Sequence, residues 1–236
     1  MLLKDRIIVA LDTPSLEATI PFVRQLSPYV ACFKIGLELM TSAGAPVAVR
    51  QIHELGGSLF FDGKFNDIPN TIAGASRAVA ALKVKMFDVH ASSGVQGMRA
   101  AVQNKGKSQV IAVTVLTSFE EDSCRHIFGA GSQEKVLQFA RDAKEAGVDG
   151  IVCSPQELKW LGEDPSLNGL IRITPGIRPV WAGKGDQKRV LTPKEAIALG
   201  ATHLVIGRPI TEPPPEVGSP VDAVRKIWEE IEEVCR

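Results

Sequence analysis

The residues best suited to chemistry lie in one stretch, Leu59-Phe60-Phe61-Asp62-Gly63-Lys64-Phe65-Asn66-Asp67-Ile68-Pro69-Asn70-Thr71. Leu59 to Phe61 is a short apolar run of the kind that forms a buried strand, and it ends abruptly in charge. Asp62 and Lys64 are separated by Gly63 alone, so on an extended backbone their side chains share a face. Asp67 follows where a helix is expected to begin. Charges at the end of a buried strand must be desolvated and paired, which is costly. The structural alternative for this stretch alone is one ion pair plus a helix N-cap at Asp67.

Polar residues also end most of the other apolar runs. Arg6–Leu11 leads into Asp12, Val30–Gly36 carries Lys34, and Met86–Ala91 carries His90. Val110–Ser118 ends in Thr117 and Ser118, the sixth run ends in Ser154, and the last runs into Gly207-Arg208. An acid in such a place can cap the next helix, as Asp12 could before Thr13-Pro14. Lys34 and Lys64 cannot, because a cation opposes the dipole at a helix N-terminus. Two lysines among acids at one rim therefore favour a functional reading. Flanked by Asp12, Asp62 and Asp67, such lysines stay protonated. A protonated lysine is a proton donor and electrostatic stabiliser; a Schiff-base nucleophile needs a depressed pKa. Gly207 lets the backbone approach a ligand and Arg208 offers a bidentate fork, a combination suited to phosphate. The loop 177–190 holds Gly183, Lys184, Gly185, Gln187 and Lys188 with Arg178 and Arg189, and reads as a lid over that phosphate rather than an ordinary basic surface loop. There is no Walker A sequence. His90 reads as a core histidine, and the glutamates at 229, 230, 232 and 233 as a solvated helix face.

These residues need a scaffold that brings strand ends together. Eight apolar runs alternate with helical segments along the chain, and near-continuous apolar runs imply parallel strands covered on both faces. The pattern predicts an α/β fold, a (β/α)8 TIM barrel forming a single domain over residues 1–236, close to the roughly 250 residues such barrels use. Active sites of these barrels lie at the C-terminal ends of the strands. A doubly wound sheet competes, but no GxGxxG follows the first strand. Helices are expected over Pro46–Leu55, Pro69–Leu82, Glu134–Ala146 and Val221–Val234, with a loop before Glu134 and the fifth strand spanning Val110–Ser118.

Composition narrows the function further. Lys plus Arg equals Asp plus Glu at 27 each, without the basic excess of a nucleic-acid or membrane-surface protein. Cys32, Cys124, Cys153 and Cys235 are scattered, no CxxC occurs, and Cys124 with His126 is too isolated for zinc. Free thiols in a cytoplasmic protein are expected. No run is long enough for a signal peptide or a membrane span.

The stretch Asp62-Gly63-Lys64-Phe65-Asn66-Asp67-Ile68-Pro69 resembles the DxKxxDIP signature of the orotidine 5′-monophosphate decarboxylase family. Val9–Asp12, Phe33–Gly36, Ala112–Ser118, Thr174–Arg178, Gly185-Asp186-Gln187 and Val205–Thr211 resemble its other motifs, so the likeness covers essentially the whole chain. It implies that Lys34, Asp62, Lys64 and Asp67 form a charged catalytic tetrad. It also implies a homodimer in which Asp67 and Thr71 reach the partner's site. Asp12 and Lys34 would hold the ribose hydroxyls, Thr117 and Ser118 would contact the pyrimidine, and Pro175 would line the base pocket. Gln187, Gly207 and Arg208 would bind phosphate, with Arg178 helping at the lid. Gly63, Phe65 and Asn66 fall in variable slots of the signature. The implied reaction converts orotidine 5′-monophosphate to uridine 5′-monophosphate with no cofactor and no metal. The nearest alternative is a metal-dependent sugar-phosphate decarboxylase or aldolase of the same DxKxxD superfamily, which has an acid in place of Lys34. A Schiff-base aldolase using Lys64 and a non-catalytic nucleotide-binding barrel are more distant alternatives.

Overall fold

Apolar residues covered on both faces dictate where the strands form. The computed structural model describes residues 1–182 and 190–235, and its strands are β1 (Ile7–Ala10), β2 (Cys32–Ile35), β3 (Leu59–Phe65), β4 (Met86–His90), β5 (Gln109–Val113), β6 (Gly150–Val152), β7 (Ile171–Thr174) and β8 (His203–Ile206). Neighbours run parallel in sequence order, and β8 returns to pair with β1, closing the barrel. Side chains alternate: Ile8, Ala10, Cys32, Phe60, Met86, Ile111, Ile173 and Val205 fill the inside. Ile7, Val9, Phe33, Ile35, Leu59, Phe61, Phe87 and Val89 pack outward beneath the helices. This two-sided burial is why the strands read as unbroken apolar runs.

The helices are α1 (Leu16–Leu26), α2 (Leu37–Ala43), α3 (Ala45–Glu54), α4 (Pro69–Ala81), α5 (Gly94–Gln103), α6 (Glu121–Phe128), α7 (Ser132–Ala146), α8 (Leu158–Gly162), α9 (Pro193–Ala198), α10 (Arg208–Thr211) and α11 (Pro220–Cys235). Local chemistry sets several ends. The Ala18 N–H donates to Ser15 Oγ at 3.3 Å to start α1, and Thr192 and Glu195 cap α9 reciprocally. Two expectations fail at helices. The segment after β2 holds α2 as well as α3, divided at Gly44, whose φ of 78° suits glycine. The presumed loop before α7 contains α6. Strand five is also shorter than its apolar run: β5 stops at Val113, and Thr114 turns its hydroxyl to the Val152 carbonyl at 2.9 Å.

Below the barrel, at the N-terminal strand ends, Asp149 and Lys85 find close partners, whereas Arg6 Nε is buried without one. Asp149 accepts from Lys105 Nζ at 2.6 and 2.8 Å and from the Val110 N–H at 2.8 Å. Lys85 Nζ donates to the Ala31 carbonyl at 3.2 Å. His203 Nδ1 lies 3.0 Å from Thr202 Oγ1, and burial first, with Lys85 and Arg6 nearby, pushes its pKa down to about 4.

Candidate active site

The opposite rim is built differently. Lys34 lies on β2 in register with Ala10 of β1 and Phe60 of β3, so its side chain shares the inward face. Its Nζ stands 3.3 Å from Asp12 Oδ1 and 3.0 Å from Asp62 Oδ2. Lys64 Nζ in turn contacts Asp62 Oδ1. The four groups thus form one alternating array, Asp12–Lys34–Asp62–Lys64, crossing three strands. Its middle is the buried part: the side chain of Asp12 is 65% exposed, those of Lys34 and Asp62 only 14% and 11%, and that of Lys64 32%. Burial pulls the Lys34 pKa down, but Asp62 and Asp12 outweigh it and leave it raised. Burial likewise pushes Asp62 up, yet its hydrogen bond with Asp88 and the charges of Lys34 and Lys64 hold it well below the usual carboxylate range.

Beyond Phe61 the β3 ladder is interrupted. Phe61 pairs with Phe87, and the next pair is Phe65 with Val89. Four steps on β3 therefore answer two on β4, and Asp62, Gly63 and Lys64 occupy the interruption. Lys64 has φ of 49°, a left-handed conformation costing a non-glycine residue roughly 1–2 kcal/mol. Its N–H donates to Asp88 Oδ1 at 2.7 Å. Gly63 is required here by space: a Cβ would come within 2.6 Å of the Phe61 ring and 3.2 Å of Phe65. A slot that is variable in the signature is therefore closed in this chain by its own two phenylalanines.

Two cavities that share Lys34, Pro175 and Val205 in their walls open on the array. The smaller, about 220 Å³, has Lys34, Asp62, Lys64 and Asp88 at one side and Phe60, Val113, Val115, Leu116, Thr117, Val152, Ile173, Pro175 and Val205 around the rest. An apolar slot charged at one end suits a flat ring bearing one anionic group. The larger, about 420 Å³, is lined by Asp12, Lys34, Pro175, Arg178, Gly207 and Arg208 among others. Its two arginines suit a second, more distant anion. The two ends of the loop carrying Arg178 are tied together, since the Arg178 N–H donates to the Leu191 carbonyl at 2.9 Å.

Most of the residues singled out in the sequence meet here. Ser118 is exposed and outside both linings. Asp67 and Thr71 lie in the exposed segment 66–71 and line neither cavity. Asp67 is not the cap of α4: Ile68 holds that position, and Asp67 Oδ1 accepts from the Ile68 N–H at 2.7 Å. Gln187 and most of the expected lid, 183–189, lie outside the described residues. His90 is half-buried at the end of β4 rather than a core residue, and burial followed by the charge of Lys64 lowers its pKa. Among the described residues no group of three or more His, Cys, Asp or Glu is arranged to hold a metal.

One member of the site escaped the sequence reading. Asp88 is buried in the middle of β4 and lines the smaller cavity. Burial first, then the adjacent Asp62 carboxylate, pushes its pKa well up. Inspection of strand ends alone passes over it. Its parity with Met86, which faces inward opposite Phe60, is the signal that could have found it.

Comparison with known proteins adds an independent line. Residues 5–227 match the family described as "Orotidine 5'-phosphate decarboxylase / HUMPS family". The orotidine 5'-phosphate decarboxylase of Moorella thermoacetica is 48% identical over 242 aligned residues, covering 98% of this chain and 94% of that protein. The enzyme of the same name from Nitrosococcus oceani is 47% identical, covering 98% of this chain and 99% of its own. The crystal structure of orotidine 5'-phosphate decarboxylase from Lactobacillus acidophilus superposes with a TM-score of 0.82 at 33% identity, covering 95% of this chain and 98% of its own.

Proposed function

The chain belongs to the orotidine 5′-phosphate decarboxylase / HUMPS family, and we propose that the array Asp12–Lys34–Asp62–Lys64 is the centre at which its reaction takes place. The reaction is the decarboxylation of orotidine 5′-monophosphate to uridine 5′-monophosphate in pyrimidine synthesis. The observation that carries the assignment of the centre is Lys34, seated between two acids at 3.3 and 3.0 Å. A metal-dependent relative would need an acid there; this chain places an ammonium group between its carboxylates.

The pyrimidine occupies the smaller cavity and the phosphate the larger. As the C6–carboxylate bond breaks, CO2 leaves and the electron pair stays on C6. That carbanion lies in the plane of the ring, where the ring carbonyls cannot delocalise it, so its stabilisation is electrostatic. The Lys64 ammonium group supplies positive charge beside C6 and then the proton of the new C6–H bond; solvent reprotonates the amine. Asp62 faces the departing carboxylate, and like-charge repulsion there disfavours the bound substrate more than a transition state whose charge has moved toward Lys64. Asp12 and Lys34 hold the ribose hydroxyls, Thr117, Ser118 and Pro175 border the base, and Arg208, Gly207 and Gln187 bind the phosphate with Arg178 beside them. Binding energy from that remote phosphate is available to assemble the charged centre.

The protein acts as a cytoplasmic homodimer with one domain per subunit, Asp67 and Thr71 crossing to the partner's site. The exposure of 66–71, including Ile68 at 67%, supports this reading, because a partner would cover it. Among the described residues no helix is long and apolar enough to cross a membrane. Loss of orotidylate absorbance on adding purified protein, measured with and without chelator, tests the reaction and its independence of metal together. Turnover that stops with chelator would transfer the chain to the metal-dependent branch.

A further inference from the structure

Asp88 combines two features. Its Oδ1 accepts the Lys64 N–H at 2.7 Å, at the residue of left-handed φ that bears the array's last ammonium group. That N–H lies in the interruption of the β3 register, between the Phe61–Phe87 and Phe65–Val89 pairs. Its Oδ2 is the one carboxylate oxygen among the described residues that is buried with no donor to accept from. Buried polar atoms are nearly always satisfied, and an exception requires a reason. Here the neighbouring group is another carboxyl, that of Asp62, which already faces two lysines.

We propose that Asp88 is a positioning residue for the decarboxylation, fixing the Lys64 main chain through Oδ1 and engaging the Asp62 carboxylate through Oδ2. The inference rests on the role given above to Lys64. A carboxylic acid at Asp88 resolves the unpaired oxygen: Oδ2–H donates to Asp62 while Oδ1 still accepts from Lys64. Burial and the charge of Asp62 both favour that protonated form. The proton on Asp88 stays there through the reaction, since C6 receives its proton from Lys64. What Asp88 supplies is geometry: without it, neither the left-handed turn at Lys64 nor the orientation of Asp62 is held from below. Catalytic groups displaced by a fraction of their own size lose much of their effect.

Asparagine has the same shape as the protonated acid, with an acceptor and a donor in the same places. The test compares Asp88→Ala with Asp88→Asn. With Asp88→Ala we expect kcat to fall about 100-fold, the scale of a misplaced reacting group, while affinity for uridine 5′-monophosphate stays within about threefold. Asp88→Asn should recover at least about tenfold of the lost kcat. If Asp88→Ala does not fold, Asp88→Ser takes its place in the same comparison. The infrared spectrum at neutral pH should also contain a carboxylic-acid C=O band that is lost in Asp88→Asn. Wild-type kcat in Asp88→Ala, an Asp88→Asn as slow as Asp88→Ala, or no such band would each overturn the proposal. A Lys64→Ala variant that keeps turnover would instead overturn the role of Lys64, and the infrared band tests Asp88 without any turnover.

Discussion

At the lower rim of the barrel, Asp149 accepts three hydrogen bonds, two from Lys105 Nζ and one from the Val110 N–H. At the upper rim, Asp62 and Asp88 stand together between lysines, Asp88 Oδ2 has no donor, and Lys64 is held with a positive φ. Both rims lie against the same apolar interior, and both bury charge. The lower one pairs Asp149 closely and ties β5 to the start of β6. The upper one sets two carboxyl groups side by side, with burial and Asp62 favouring the protonated form of Asp88, and holds the backbone strained, a combination that folding stability alone does not favour. Strain and adjacent carboxyl groups at one end, and closely bonded Asp149 at the other, give the two rims of one barrel different characters.

That contrast can be broken most directly at Lys64. Lys64→Ala should lower kcat by about 10⁴-fold or more, at or beyond the upper range for loss of a general acid, while nucleotide still binds. Near-normal turnover with a lowered melting temperature would make the upper rim structural, like the lower one. Next in size is Arg208→Ala, which should lose about 2–5 kcal/mol of transition-state stabilisation, read as kcat/KM. An unchanged kcat/KM would remove Arg208 from the phosphate.

The lower rim should respond in stability alone. His203 is buried with a pKa near 4 against an ordinary value of 6.5, so it is neutral in the fold while the unfolded chain gains a proton as pH falls through 6.5. Stability is therefore full above about pH 6.5 and declines between 6.5 and 4, by on the order of 3 kcal/mol from this group. Thermal melts across that window should flatten in His203→Asn; an equally steep decline would assign it to other groups. The smallest effect is expected for Asp149→Ala, about 1–3 kcal/mol of unfolding free energy with kcat unaltered, because the Val110 N–H and Lys105 lose their partner. A fall in kcat there would show that the two rims are coupled.

The sequence made the upper rim legible because its residues break the apolar pattern that fills the rest of each strand. Asp12, Lys34, Asp62 and Lys64 stand out as charges in apolar runs, and Gly207-Arg208 ends the last one. Three features were hidden for physical reasons. Of α2 only Leu39 is buried and of α6 only Cys124, so neither carries the apolar periodicity that announces a helix. The run after Val110 stays apolar past the point where β5 ends, and apolarity cannot distinguish a strand from a wall of the cavity. Asp88 sits inside a strand rather than at its end, where only the inward parity set by Met86 gives it away.

The interruption in β3 has a consequence on the timescale of hydrogen exchange. The amide of Lys64 is secured by a side-chain oxygen of Asp88 at 2.7 Å, in a stretch where the neighbouring strands provide no paired residue. Its protection therefore reports the state of one carboxyl group, whereas the amides of Phe60 and Phe61 report the opening of the barrel itself. A single exchange measurement on three nearby amides would separate the readiness of the site from the integrity of the fold that carries it.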